Sequence, residues 1–109
     1  MLEEFVNEGI CIKITREDIP RLEELQNALG DIKWESGSPI NDKITELRVR
    51  TYGYIFINCV TNGFGKKCCN YTSKKERAKE YGVIVTLDEF IKPINKLVIS
   101  ENDLMNVLR

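Results

Sequence analysis

Isoleucines at positions 10, 12 and 14 alternate with Cys11, Lys13 and Thr15, the period-two pattern of a strand with one buried face. Ahead of it, Leu2 to Val6 reads as a short amphipathic turn stopped by Asn7 and Gly9. Behind it, Asp18 is placed to cap a helix with Pro20 in its first turn, where a missing N–H costs nothing. Ile19, Leu22, Leu25 and Leu29 then recur at helical spacing on one face, and Gly30 supplies a left-handed stop. Ile32 and Trp34, with Ser36, predict a short strand, and residues 36–42, SGSPIND, a turn-rich loop.

Leu47 and Val49 alternate with Arg48 and Arg50, which predicts a half-exposed strand carrying two guanidinium groups side by side. Tyr52-Gly53 turns the chain into Tyr54 to Val60, the most strand-like run and the expected centre of the sheet. Asn62-Gly63 has the composition of a type I′ hairpin turn, which puts Cys68 and Cys69 on the return strand. Thr72 or Ser73 should cap a helix from Lys74 to Tyr81, ended by Gly82, and Val83 to Val85 should form a short buried strand. Thr86 caps a last turn, Asp88 to Ile91, closed by Pro93. Beyond it, Leu97-Val98-Ile99 is apolar, and Ser100 with Asp103 resembles a capping box ahead of Leu104, Met105, Val107 and Leu108.

The pattern as a whole predicts one α+β domain over residues 1–95, a mainly antiparallel sheet with helices packed on it. Residues 96–109 form an apolar tail expected to dock on this domain or on a second copy, and a homodimer is the expected assembly. A chain of 109 residues suits one core. No apolar run approaches the roughly 20 residues of a membrane span, so no membrane partner is expected. The start MLEEFVNEG lacks the basic-then-apolar order of a signal peptide, which points to the cytoplasm and to reduced thiols.

Sixteen basic and seventeen acidic residues leave a net charge of −1, so no overall field attracts nucleic acid and any anion site is local. The chain has no histidine. That removes the commonest general base, the Ser-His and Cys-His nucleophile pairs and most zinc sites. Cys59, Cys68 and Cys69 lack a CxxC spacing, and neighbours on a strand point to opposite faces. Cys11 and Cys59 are therefore read as buried fillers, one of the vicinal pair as exposed, and no metal or cofactor is expected. Phe64 to Lys67, FGKK, lacks the first glycine and the Ser/Thr of a P-loop. The acidic pairs Glu3-Glu4, Glu17-Asp18, Glu23-Glu24 and Asp88-Glu89 all have ordinary roles at helix ends or faces. No catalytic residue is nominated, and the chain is expected to act by binding.

The candidate ligand set is Arg48, Arg50, Tyr52, Tyr54, Lys74 and Lys75. Lys66, Lys67 and Arg77 extend its charge, and Phe64 and Tyr71 its stacking surface. The competing reading is that these cations are solvated and the aromatics pack at an edge or in the core. Trp34 is read as core.

The stretch "LEELQNALGDIKWESGSP", Leu22 to Pro39, resembles small phage-encoded accessory proteins that place a helix, a glycine, a Lys/Arg-Trp-x-Ser-Gly strand and a meander in this order. Their C-terminal part often ends in a phrase that here reads "GVIVTLDEF", Gly82 to Phe90. The resemblance implies a phage or mobile-element binder that antagonises a host factor or defence pathway, by engaging a host protein or sequestering a small phosphorylated, nucleotide-like signal. A second stretch, "TSKKERAKEYGVIVTLDEF", is similar to the end of BRCT domains. That resemblance implies a phosphopeptide or nucleic-acid-end reader, with Thr15 and Lys74 or Lys75 gripping a phosphate. It is the second reading, since Gly30 stands where a glycine pair is usual and Phe90 where a tryptophan is typical.

Overall fold

The computed structural model describes residues 1–92. Its centre is a four-stranded mixed sheet in the order β3-β2-β1-β4, built from β1 (Ile10–Thr15), β2 (Tyr54–Thr61), β3 (Lys67–Thr72) and β4 (Val83–Thr86). β2 runs antiparallel to both neighbours, and β4 runs parallel to β1. Five helices accompany it among the described residues: α1 (Leu2–Val6), α2 (Leu22–Leu29), α3 (Lys43–Tyr52), α4 (Lys75–Tyr81) and α5 (Leu87–Ile91). The protein is an α+β domain with a mostly antiparallel sheet, as the hydrophobic pattern predicts.

Register explains the core. Ile12 pairs with Ile57, Ile14 with Ile55, Ile12 with Val85 and Cys59 with Cys69, so these side chains share one face. Leu22, Leu25 and Leu29 of α2 cover that face together with Phe5, Val49, Leu87 and Phe90. Phe5 and Phe90 meet edge to face at 5.8 Å. The isoleucine stripe of β1 and the leucine stripe of α2 are both borne out, as is Gly30 as the stop, with φ 67°.

The opposite face is also covered. Cys11 and Phe56 pack on Ala78 of α4, with Ile84 beside them, so β1 is buried on both sides at Cys11 and not on one side only. The two adjacent cysteines differ from expectation as well: Cys68 and Cys69 are 4% and 1% exposed, because a bridge from Trp34 covers the outer edge of β3.

Several local expectations are corrected. Thr15, not Asp18, is the first cap; Asp18 Oδ2 accepts from Thr15 N at 2.9 Å and from Thr15 Oγ1 at 3.1 Å. The cap opens a 3-10 helix, Arg16–Arg21, that contains Pro20. The predicted strand at Ile32, Trp34 and Ser36 reduces to the single Trp34–Cys69 bridge. The hairpin exists, but Gly65, with φ 78°, takes the left-handed position, and the turn closes from Asn62 O to Gly65 N at 3.0 Å. β4 lies at the sheet edge with Val83 exposed, and Val85 alone of its residues is buried. Thr86 does cap α5, accepting from Glu89 N at 3.1 Å.

The largest correction is α3. Its alternation of Leu47 and Val49 with Arg48 and Arg50 suggests a strand, yet Thr45 and Val49, one helical turn apart, are the residues it buries. Asp42 accepts from Lys43 N at 2.7 Å to start the helix, Glu46 and Arg50 pair at 3.0 Å along it, and Gly53 ends it with φ 84°. Pro93 and the tail, 96–109, lie outside the described residues. Among those described, no helix is long and apolar enough to cross a membrane.

Burial pushes the Cys11 thiol from an ordinary 9.0 up to about 11, and it also raises Cys59, Cys68 and Cys69. A thiol whose folded pKa lies above its unfolded value stabilises the fold fully below the unfolded value and ceases to do so as pH passes the folded one. The melting temperature should therefore be level in this respect well below the ordinary value of 9.0 and fall as pH rises from there toward the Cys11 value of about 11. A serine at Cys11 that leaves the alkaline fall unchanged would show that this thiol does not contribute to it.

Candidate functional site

A concave feature is built on the outer edge of β3. Cys69 N donates to Lys33 O at 2.7 Å, and Trp34 N donates to Ser38 O at 3.0 Å, so the loop carrying Lys33 to Ser38 hangs from the sheet edge. Asn62 organises the facing turn, its Oδ1 accepting from Phe64 N and Lys66 N at 2.9 Å each. Between loop and turn lies a cleft of about 210 Å³, walled by Lys33, Trp34 and Gly37 on one side and by Asn62, Lys66 and Lys67 on the other, with Glu35 and Cys68 completing it. Three lysines and one carboxylate residue thus line it. Lys67 shares its charge with Glu8 at 3.4 Å, whereas Lys33 and Lys66 make no ion pair among the described residues. Glu35 raises the Cys68 thiol after burial, and Lys66 lowers it; both charges are therefore felt at the same sulfur.

Trp34 joins this cleft to a second cluster. Its indole Nε1 donates to Thr45 Oγ1 at 2.7 Å. The Arg48 guanidinium lies 4.9 Å from the Trp34 ring centre and 4.3 Å from that of Tyr71, inside the range of cation–π attraction. Tyr71 in turn meets Trp34 edge to face at 5.9 Å and Tyr52 at 6.5 Å. Arg48 is held by two rings and has no carboxylate within ion-pair distance among the described residues.

The predicted ligand set is divided. Arg48 and Tyr52 belong to the aromatic cluster. Arg50 sits about 200° further round the helix, paired with Glu46, and its carbonyl accepts from Arg16 at 2.8 Å. It does not stand beside Arg48. Tyr54 is on the opposite sheet face, edge to face with Phe56 at 5.4 Å and under the Lys13 ammonium at 5.3 Å. Lys74 and Lys75 are exposed at the start of α4, which packs on that same face. Thr15, the other half of a BRCT-like phosphate grip, has its hydroxyl committed to Asp18.

Lys33 is not marked as a site residue along the chain, because its place in the cleft depends on the Cys69 to Lys33 hydrogen bond, a contact across 36 positions of chain. Lys66 and Lys67 were readable as basic residues after a turn; the lysine beside the single tryptophan was the signal that could have completed the set. Among the described residues, no group of three or more cysteine, aspartate or glutamate side chains is placed to hold a metal ion. No protein-family model, curated protein or solved structure matches the chain.

Proposed function

We propose that this protein is a non-catalytic binder that sequesters a small phosphorylated, nucleotide-like ligand in the Lys33–Lys66–Lys67 cleft, and that it serves as a phage or mobile-element accessory factor against a host factor or defence pathway. The observation that carries the ligand class is the convergence of three lysines on one cleft in a chain of net charge −1. Anion attraction is therefore local to the cleft. Asn62 adds an amide NH2, since its oxygen is already occupied by two backbone N–H groups. At about 210 Å³ the cleft is below the roughly 300–1,000 Å³ of drug-sized sites, so it takes the phosphate end of the ligand. Phe64, 97% exposed in the adjoining turn, offers a face for a base. The antagonist role is supported by the resemblance of Leu22 to Pro39 and of Gly82 to Phe90 to phage accessory proteins.

Thermal melting with sodium pyrophosphate and with nucleoside phosphates tests the reading. Ligand at about a hundred times its Kd should stabilise the fold by about 2.7 kcal/mol, a rise on the order of 10 °C for a domain of this size. Combining Lys33→Gln, Lys66→Gln and Lys67→Gln should abolish the rise, while Lys74→Gln with Lys75→Gln should preserve it. An equal rise in both variants, or none in the parent with any phosphate, refutes the cleft as the site.

A further inference from the structure

α3 turns an unusual face outward. Ile44, Arg48 and Tyr52 follow one another at steps of four, and Leu47, three residues after Ile44, flanks them, so together they make one face of the helix. Ile44, Leu47 and Tyr52 are 45%, 65% and 50% exposed. A surface helix ordinarily directs its apolar stripe to the core; here the core side is supplied by Thr45 and Val49, and a second apolar stripe is left over. At its middle sits Arg48, fixed by the rings of Trp34 and Tyr71 and without a carboxylate partner among the described residues. The surface calls for aliphatic side chains with a carboxylate among them, and Arg, Trp and Tyr are the residue types that dominate binding energy at interfaces.

We infer that the occupant of this stripe is the chain's own C-terminal segment, residues 96–109. Its sequence "LVISENDLMNVL", Leu97 to Leu108, has aliphatic residues on both sides of Glu101 and Asp103, the chemistry the stripe is complementary to. The described residues end at Lys92, and the seventeen residues beyond it can span up to about 3.3 Å each, enough to cross the domain. Covalent attachment gives the segment a high effective concentration at the stripe, which a separate peptide lacks.

The test uses the purified full-length chain with Leu47 replaced by p-benzoylphenylalanine, a position exposed enough to accept the larger ring. Irradiation should give an adduct mapping to residues 96–109. A monomer-mass adduct places the segment on its own domain and supports the inference; a dimer-mass adduct places a second copy's segment there and overturns it. Arg48→Glu should lower the adduct yield by about fivefold, the upper range for an exposed ion pair, and Glu101→Lys with Asp103→Lys in the same chain should restore it. The rescue separates lost pairing from lost folding, as does a near-ultraviolet spectrum of Trp34. No adduct, an adduct mapped elsewhere, a yield insensitive to Arg48→Glu, or a failed rescue overturns the inference.

Discussion

Gly82→Ala should be among the most damaging single substitutions in this protein, lowering stability by roughly 3–5 kcal/mol through combined overpacking and backbone strain. A Cβ at Gly82 would lie 2.5 Å from Gly9 C and O and 2.7 Å from Ile10 N, with φ at 151°. All three neighbours are backbone, so no side chain can swing away. The contact is where β4 joins β1, with Val83 N donating to Gly9 O at 3.0 Å; relieving the clash means breaking the parallel pairing that carries α5 into the core. Gly63→Ala is the control, since nothing lies within 4 Å of its added carbon and its φ is unexceptional. Urea denaturation should show a large loss for Gly82→Ala and a change below about 0.5 kcal/mol for Gly63→Ala. Equal midpoints for the two variants would refute the close approach of β1 and β4.

Trp34→Ala should cost about 3–5 kcal/mol, the usual range for an aromatic residue deleted from a core. The indole is 5% exposed, packs in the main core cluster, donates to Thr45 and carries one side of the Arg48 stack. It is also a wall of the cleft, so ligand-induced stabilisation should disappear along with the stability. Trp34→Phe keeps a ring but leaves the buried Thr45 hydroxyl without its donor, a loss of about 1–3 kcal/mol. The expected order is parent, then Phe, then Ala, measured by urea denaturation followed by far-ultraviolet circular dichroism. An alanine variant as stable as the phenylalanine one would mean that the ring contributes little.

What could be read along the chain divides according to how local its cause is. The Ile10–Ile14 stripe, the Leu22, Leu25 and Leu29 face and the Thr86 cap each depend on neighbours within a turn or a strand, and each appears as expected. α3 misled because one of its two core residues, Thr45, is polar; its burial is made tolerable by the Trp34 indole eleven positions away, which no window on residues 43–52 reveals. Read as a strand, this segment sets Arg48 beside Arg50 and hides the aromatic partners that the helix gives Arg48. The hairpin was legible from Asn62-Gly63, but the side chain of Asn62 binds the backbone of its own turn and moves the left-handed residue to Gly65. The cleft itself required the bridge between Trp34 and Cys69, a tertiary contact. Its chemistry was half visible: Lys66 and Lys67 stood out, Lys33 did not.

The most direct test of anion binding in the cleft is an amide-resolved NMR titration of the uniformly ¹⁵N-labelled full-length chain with sodium pyrophosphate at low ionic strength. The amides of residues 33–37 and 62–68 should shift together and saturate along one binding curve, those of Lys74 and Lys75 should stay in place, and added salt should weaken the effect. Shifts confined to the start of α4, or none in either cleft segment at saturating pyrophosphate, would contradict it.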